Sequence, residues 1–280
     1  MACCFFWVCS LRASSDVVGR AETLYQQTEY RASLRVLEGD PLPDAATYEL
    51  SGKNYFMLDD YDKATKLFEK AQALAPAVSD YSLWLGRAYG RRAETGNWFV
   101  APGHASKARQ WLENAVALDP RNNEAMNDLF DFYLSAPGFM GGGAEKAEAI
   151  ARRIEHERPP EYHHEMSQLA DRRKHSDEAV MHLRKAMQLA PGESGRVLDL
   201  ARYLAKIGRT EESDALFSQA AERWPDSPPV VFARAKFYVD AHREPERSRQ
   251  LLEQYLRSKL TPDDPPRHDA EKLLRQIASR

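Results

Sequence analysis

The feature that most constrains this chain is a spacing of residues that recurs five times. The first stretch, YDKATKLFEKAQALAP, shows intervals of four, three and five as Ala64, Phe68, Ala71 and Pro76. The same intervals separate Ala108, Leu112, Ala115 and Pro120; Ala147, Ala151, Ile154 and Pro159; Ala179, Leu183, Ala186 and Pro191; and Ser213, Phe217, Ala220 and Pro225. Steps of three and four place residues on one face of a helix, and proline ends a helix. Each stretch therefore predicts a helix with one apolar face that stops before its proline.

A second apolar pattern with steps of three and four lies ahead of these helices. Its members are Tyr48, Gly52 and Tyr55; Leu85, Gly86 and Tyr89; Met126, Leu129 and Tyr133; and Val197, Leu200, Ala201 and Leu204. Each unit is thus predicted to be two helices joined by a turn. Small residues would let the paired backbones approach, and large residues such as Phe68 and Leu112 would fill the space between consecutive units.

The stretch YELSGKNYFMLDDYDKATKLFEKAQALAP resembles the tetratricopeptide repeat, in which W-x2-L-G-x2-Y, A-x3-F and P recur over about 34 residues. The resemblance implies an all-α fold, a right-handed α-solenoid of stacked helix-turn-helix units with a C-terminal capping helix. A cap is needed because no neighbour covers the last unit. The predicted units are 14–44, 45–78, 79–122, 123–159, 160–193, 194–227 and 228–262, and the predicted capping helix is 263–280.

Two turns inside these units are longer than the repeat requires. The turn after Tyr89 has ten extra residues and the turn after Tyr133 has five, which predicts long loops at 91–106 and 135–145. Together with the stretches LGRAYGRRAE, AVALDPRN and YLSAPGFMGGG, these loops resemble those of a bacterial subgroup of tetratricopeptide proteins whose function is largely unassigned. That resemblance names no ligand.

The content of the two loops leaves two interpretations open. A phosphate-binding loop is excluded, because its lysine directly follows the last glycine, whereas Lys146 lies three residues past Gly143. In the first interpretation the glycines serve turns that need positive φ. In the second, the loops carry an apolar patch that binds a protein partner, with Arg91 and Arg92 at its rim. The residues of that patch are Trp98, Phe99, Phe139 and Met140.

The resemblance also implies a concave groove in which the first helix of each unit contacts an extended peptide. The residues that alignment places there are Lys53, Phe56, Arg87, Arg91, Asn127, Asp131, His164, Arg172, Arg202 and Lys206. Their repeated basic character favours an acidic or carboxylate-bearing protein partner. Trp84 and Asp128 occupy slots where the carboxylate clamp of this family uses asparagine or a basic residue, which argues against that version. A solvated surface of mixed charge is the alternative.

Composition excludes several other function classes. The net charge is −3, so no basic excess exists to bind nucleic acid, and no apolar run reaches the roughly 20 residues of a membrane span. The three cysteines all lie within MACCFFWVCS, which leaves the rest of the chain without a disulfide or a cysteine zinc site. Residues 1–13 read either as a truncated secretory signal peptide, which favours an exported or periplasmic protein, or as a loosely packed tail of a cytoplasmic one.

Five histidines fall within a short range, and they raise the question of a metal centre. They are His156, His163, His164, His175 and His182. Gln168 stands where an H-E-x-x-H site would need its second histidine, and no G-x-S-x-G motif occurs. We therefore expect a non-enzymatic scaffold without a metal or other cofactor. The alternatives are a histidine-dependent metal protein or enzyme using residues 156–182, and a structural oligomerisation module.

Overall fold

The computed structural model describes residues 16–279, and every regular element in that range is helical. The helices are α1 (16–26), α2 (Tyr30–Leu37), α3 (Ala45–Met57), α4 (Tyr61–Leu74), α5 (Ser79–Thr95), α6 (Ala101–Leu118), α7 (Asn123–Ser135), α8 (Ala144–Arg153), α9 (Pro159–Arg172), α10 (Ser176–Leu189), α11 (Ser194–Lys206), α12 (Thr210–Arg223), α13 (Pro228–Asp240), α14 (Pro245–Arg257) and α15 (Arg267–Ala278). A short 3-10 helix covers Gly138–Met140. The predicted N-terminal segment 1–13 lies outside the described residues.

Consecutive helices pack as hairpins, which confirms the predicted all-α stack of helix-turn-helix units. Helix α3 packs on α4, α5 on α6, α9 on α10, α11 on α12 and α13 on α14. The first helices of neighbouring hairpins also meet, as α3 meets α5 and α11 meets α13. The chain divides into two compact units, one ending at Ile150 and one beginning at Ala151. The seven repeat boundaries expected from the sequence stay a prediction.

Two glycines allow the two helices of a hairpin to pack closely, because glycine has no side chain. A Cβ on Gly52 would lie 2.6 Å from the ring of Phe68, and a Cβ on Gly86 would lie 2.7 Å from the side chain of Leu112. Phe68 and Leu112 are buried and thus fill the place that a larger residue would take. Filling this space excludes voids, so each hairpin gains dispersion energy as well as buried apolar area.

Five hairpin turns share one backbone conformation. The residues in the left-handed region are Thr28, Asp59, Lys174, Gly208 and His242, with φ between 54° and 80°. The following residue donates its N–H to a carbonyl five residues back, as Asp60 does to Tyr55 at 2.9 Å and Arg209 to Leu204 at 2.8 Å. This is the Schellman motif, which satisfies carbonyls at the end of a helix. Four of the five positions carry a side chain, although glycine adopts this conformation most easily.

The prediction of a long loop at 91–106 is wrong, because most of these residues are helical. Helix α5 continues to Thr95 and α6 begins at Ala101, so only 96–100 connect them. The sequence RRAET suits a helix interior, and Pro102 is tolerated because it lies in the first turn of α6. The extra residues thus lengthen the two helices. The loop predicted at 135–145 is found at 136–143 and contains the 3-10 helix.

Candidate functional site

An aromatic and basic cluster lies on neighbouring first helices of the first unit. The ring of Phe56 on α3 meets Trp84 on α5 edge-on, with centroids 5.4 Å apart. Lys53 Nζ lies 5.3 Å above the Trp84 ring, and the guanidinium of Arg87 lies 4.8 Å from it. All four side chains are half-buried, so part of the cluster faces solvent. We call these four residues the Trp84 cluster. Three of them are predicted groove residues, and the sequence placed Trp84 in the same groove.

The two cations of this cluster are paired with carboxylates of the same chain. Lys53 Nζ lies 2.7 Å from Glu49 Oε1. Arg87 Nε lies 2.5 Å from Asp128 Oδ2, and its Nη1 lies 2.9 Å from Glu124 Oε2. Asp128 on α7 therefore neutralises the charge of Arg87 on the neighbouring helix α5 instead of completing a carboxylate clamp. An incoming acidic group would have to compete with these pairs, which reduces the free energy it gains.

The other predicted groove residues of the first unit are polar and differ in exposure. The guanidinium of Arg91 is already engaged within the chain, because it donates to Tyr61 Oη at 3.1 and 3.2 Å and pairs with Glu94. On α7, Asn127 is half-buried and Asp131 is exposed. These three side chains carry hydrogen-bonding groups on helices α5 and α7.

The corresponding helices of the second unit carry a network of charges. Asp199 on α11 lies 3.3 Å from His164 Nδ1 on α9 and 2.6 Å from Arg202 Nη2. Burial alone would raise the pKa of Asp199, but the hydrogen bonds and charges of His164 and Arg202 outweigh it and lower that pKa. Asp199 is thus held ionised by its own neighbours.

Lys206 shows the same internal compensation. Its Nζ lies 2.5 Å from Asp171 Oδ2, whereas Arg172 at the end of α9 is exposed. The first-helix surface of the second unit is therefore polar and largely neutralised from within. In the first unit the matching surface has an aromatic centre.

The loop between α5 and α6 presents two aromatic rings to solvent. Trp98 is 75% exposed and Phe99 is 73% exposed, and their ring centroids are 3.7 Å apart. Asn97 holds this turn, because its Oδ1 accepts the N–H of Phe99 at 3.1 Å and that of Val100 at 3.3 Å. The aromatic pair is thus attached to a hydrogen-bonded turn, which lowers the entropy lost when a partner covers it.

The glycine-rich loop presents one more apolar side chain. Phe139 is 82% exposed and Met140 is half-buried. Gly141 and Gly143 have φ of 93° and 156°, and Gly143 donates its N–H to Tyr133 O at 2.8 Å. The first interpretation of these glycines thus has a structural basis at two positions. The loop is tied back to the end of α7.

The patch expected from the two loops is not joined by ring contacts. In the part of the chain that the structure describes, no ring contact links Phe139 to Trp98 or Phe99. Lys146 Nζ donates to Gly141 O at 2.8 Å and so serves the loop itself. The two loops therefore offer two exposed apolar features in the same unit.

Two of the five histidines form a pair that the sequence did not indicate. His163 and His182 face each other with their Nδ1 atoms 2.9 Å apart, while His156 and His175 are exposed. Nineteen residues separate the facing pair, so no helical spacing reveals it. Across residues 16–279, no set of three or more His, Cys, Asp or Glu side chains could hold a metal ion.

None of the described helices combines the length and the apolar character that crossing a bilayer requires.

Comparison with known proteins shows which family and which solved structures this chain is similar to. Residues 45–78 match the tetratricopeptide repeat family. A tetratricopeptide repeat protein from Parabacteroides merdae superposes with a TM-score of 0.59 at 12% identity, covering 95% of this chain and 99% of that one. A thermophilic protein of the same class from Thermus thermophilus gives 0.57 at 19% identity, covering 69% and 99%. The type IV pilus biogenesis factor PilW gives 0.54 at 17% identity, covering 77% and 95%.

No relative was found among curated proteins. The structural similarities are below 25% identity and therefore establish the fold alone. The tetratricopeptide repeat that residues 45–78 match is generally a scaffold for protein–protein interaction. The chain is thus a protein of tetratricopeptide-repeat fold, with residues 45–78 as a repeat of that family.

Proposed function

We propose that the chain is a non-enzymatic scaffold that binds an extended protein segment on the Trp84 cluster, with the Trp98–Phe99 pair as a second contact. The observation that supports this most is the partly exposed aromatic centre on adjoining first helices, since aromatic and arginine side chains dominate binding energy at protein interfaces. One solved structure of this fold, the Cut9–Hcn1 hetero-tetramer, is itself a protein assembly, with a TM-score of 0.52 at 16% identity.

The expected energetics follow from which groups are already paired. Covering the exposed part of Phe56 and Trp84 with an apolar side chain contributes roughly 1–3 kcal/mol. Exchanging one surface ion pair for another contributes about 1 kcal/mol or less. An acidic or carboxylate-bearing segment therefore gains little from Arg87 unless it displaces Asp128. We infer that apolar contacts carry most of the affinity and that salt weakens binding only modestly.

The remaining predicted residues take secondary roles in this proposal. Arg91, Asn127 and Asp131 would hydrogen-bond the backbone or polar side chains of the segment. Phe139 and Met140 would form a separate apolar contact at the glycine-rich loop. Arg202 and Lys206 belong to the second unit and would act there as a polar surface.

The experiment selects peptides from a random display library on the purified chain and measures Kd for the best of them. Phe56→Ala and Trp98→Ala should each weaken binding at least about tenfold, which is 1.4 kcal/mol, because apolar contacts carry most of the affinity. Leu74→Ala is the matched control, because Leu74 is an exposed apolar residue of the same unit, at the end of the second helix α4. Circular dichroism checks that each variant stays folded. Unchanged affinity in both test variants would remove these surfaces from the proposal.

A contact between copies of this chain is the alternative that the Trp98–Phe99 pair raises. Light scattering at rising concentration would then show a mass that increases in the wild type and stays monomeric in Trp98→Ala. A monomeric mass in both supports a different protein as the partner.

A further inference from the structure

Two imidazoles face each other across neighbouring helices of the second unit. His163 on α9 and His182 on α10 have their Nδ1 atoms 2.9 Å apart and their ring centroids 5.1 Å apart, at an interplanar angle of 39°. Both line an open pocket together with Asp177. We propose that this pair binds one divalent transition-metal ion of the zinc class through the two Nδ1 atoms, with solvent completing the coordination. The site is independent of the proposed protein-binding surface.

The observed geometry is close to that of a bound ion. Two imidazoles bound at 2.0–2.1 Å with a tetrahedral angle have nitrogens about 3.3 Å apart and ring centroids about 5.2 Å apart. The centroids already stand at 5.1 Å, so the rings need only turn in place to separate the nitrogens by about 0.4 Å. His163 is half-buried and lies beside open pocket space, which leaves room for that rotation.

The protonation states suit a cation as well. Burial lowers the pKa of both imidazoles, and neighbouring His182 and Lys185 lower that of His163 further, so both rings are neutral at pH 7. In the metal-free pair one Nδ1 must donate and the other accept. Metal binding requires that this one proton move from Nδ1 to Nε2 of the donor ring, which costs no net proton release.

The charges around the pocket are partly compensated. Arg184 and Arg209 both pair with Glu212, at 2.8 and 2.6 Å. Glu155 and Glu178 lie close enough to favour positive charge on His163 and His182 respectively, and Lys185 opposes it at His163.

The ligand set decides which ion is expected. Imidazole nitrogen favours zinc, copper and nickel, whereas magnesium and calcium prefer oxygen. Because the described residues contain no third ligating side chain close enough to join the pair, the site is bidentate and should bind reversibly, unlike a four-ligand structural zinc site.

The experiment must separate this pair from the cysteines at positions 3, 4 and 9, since thiolates also bind zinc. Cys3, Cys4 and Cys9 are therefore changed to serine in the full-length chain, which carries no affinity tag. Isothermal titration with Zn²⁺ should show one site per chain in this background. His163→Ala and His182→Ala should each weaken it at least about tenfold, because the second ligand then no longer acts at high effective concentration.

Two controls make the result interpretable. His156→Ala and His175→Ala remove exposed histidines of the same range and should leave the Zn²⁺ affinity unchanged, and Mg²⁺ should not bind. Since His182 is buried, His182→Asn is tested beside His182→Ala, and circular dichroism checks that each variant is folded. In the Zn²⁺-loaded chain, long-range ¹⁵N NMR should show metal on Nδ1 of both rings. Absence of Zn²⁺ binding in the serine background would overturn the proposal, and so would a Zn²⁺ affinity in the His163 and His182 variants that equals the affinity of that background.

Discussion

The Schellman turns predict that glycine substitution at one turn and glycine removal at an equivalent turn change the stability of the protein in opposite directions. Lys174 ends α9 with φ of 64°, and Gly208 ends α11 with φ of 80°. A residue with a side chain costs about 1–2 kcal/mol in the left-handed region, while glycine loses about 0.5–1 kcal/mol more conformational freedom on folding. The difference predicts that Lys174→Gly stabilises the protein by about 0.5–1 kcal/mol and that Gly208→Ala destabilises it by a similar amount.

Side-chain packing contributes little to the stability change expected from either substitution. Lys174 is exposed, and a Cβ on Gly208 would meet no atom within 4 Å. The backbone conformation is therefore the main source of the expected change. Lys185→Gly is the control, because Lys185 is exposed in the interior of α10, where glycine costs about 1 kcal/mol.

Urea unfolding followed by circular dichroism at the helix band measures these effects. Midpoints are compared at equal slope, since stacked hairpins do not always unfold in one step. If Lys174→Gly destabilises the chain as much as Lys185→Gly does, the residue is not in a left-handed turn and the reasoning fails. A neutral Gly208→Ala would refute it equally.

Three further outcomes follow from single contacts. Gly86→Ala should lower the free energy of unfolding by roughly 1–3 kcal/mol in urea titration, because its Cβ would lie 2.7 Å from Leu112. Gly142→Ala would place a Cβ 1.9 Å from Ala136 O, so the glycine-rich loop must shift and its amides should exchange hydrogen faster in NMR than in the wild type. Burial, with a hydrogen bond to a glutamate, raises the pKa of Tyr133 to about 12. The fold then favours the neutral phenol, so stability should fall as pH rises from about 10 past 12, and this loss should be smaller in Tyr133→Phe, as measured by alkaline unfolding.

The hairpins were predictable because their signal is local. A helix repeats every 3.6 residues, so Gly52 and Phe68 could be assigned to facing helices from spacing alone, and the Cβ distances confirm that the glycine makes room for the ring. Proline after each second helix marked where the hairpin ends. The extent of the loop at 91–106 was wrong, since ten added residues lengthen two helices as readily as they form a loop, and spacing does not separate these cases.

The sequence by itself determined the fold class, the hairpin order and the basic and aromatic character of the first helices. Tertiary structure alone decided which charges are already neutralised and which histidines meet. Arg87 and Asp128 are 41 residues apart, and His163 and His182 are 19 apart, so each pair forms only when separate helices pack. Backbone hydrogen bonding and apolar periodicity involve residues only a few positions apart, so both can be predicted from short stretches of the sequence. Contacts between polar groups on different helices depend on rotation and offset of those helices, which are set by how their apolar faces interlock.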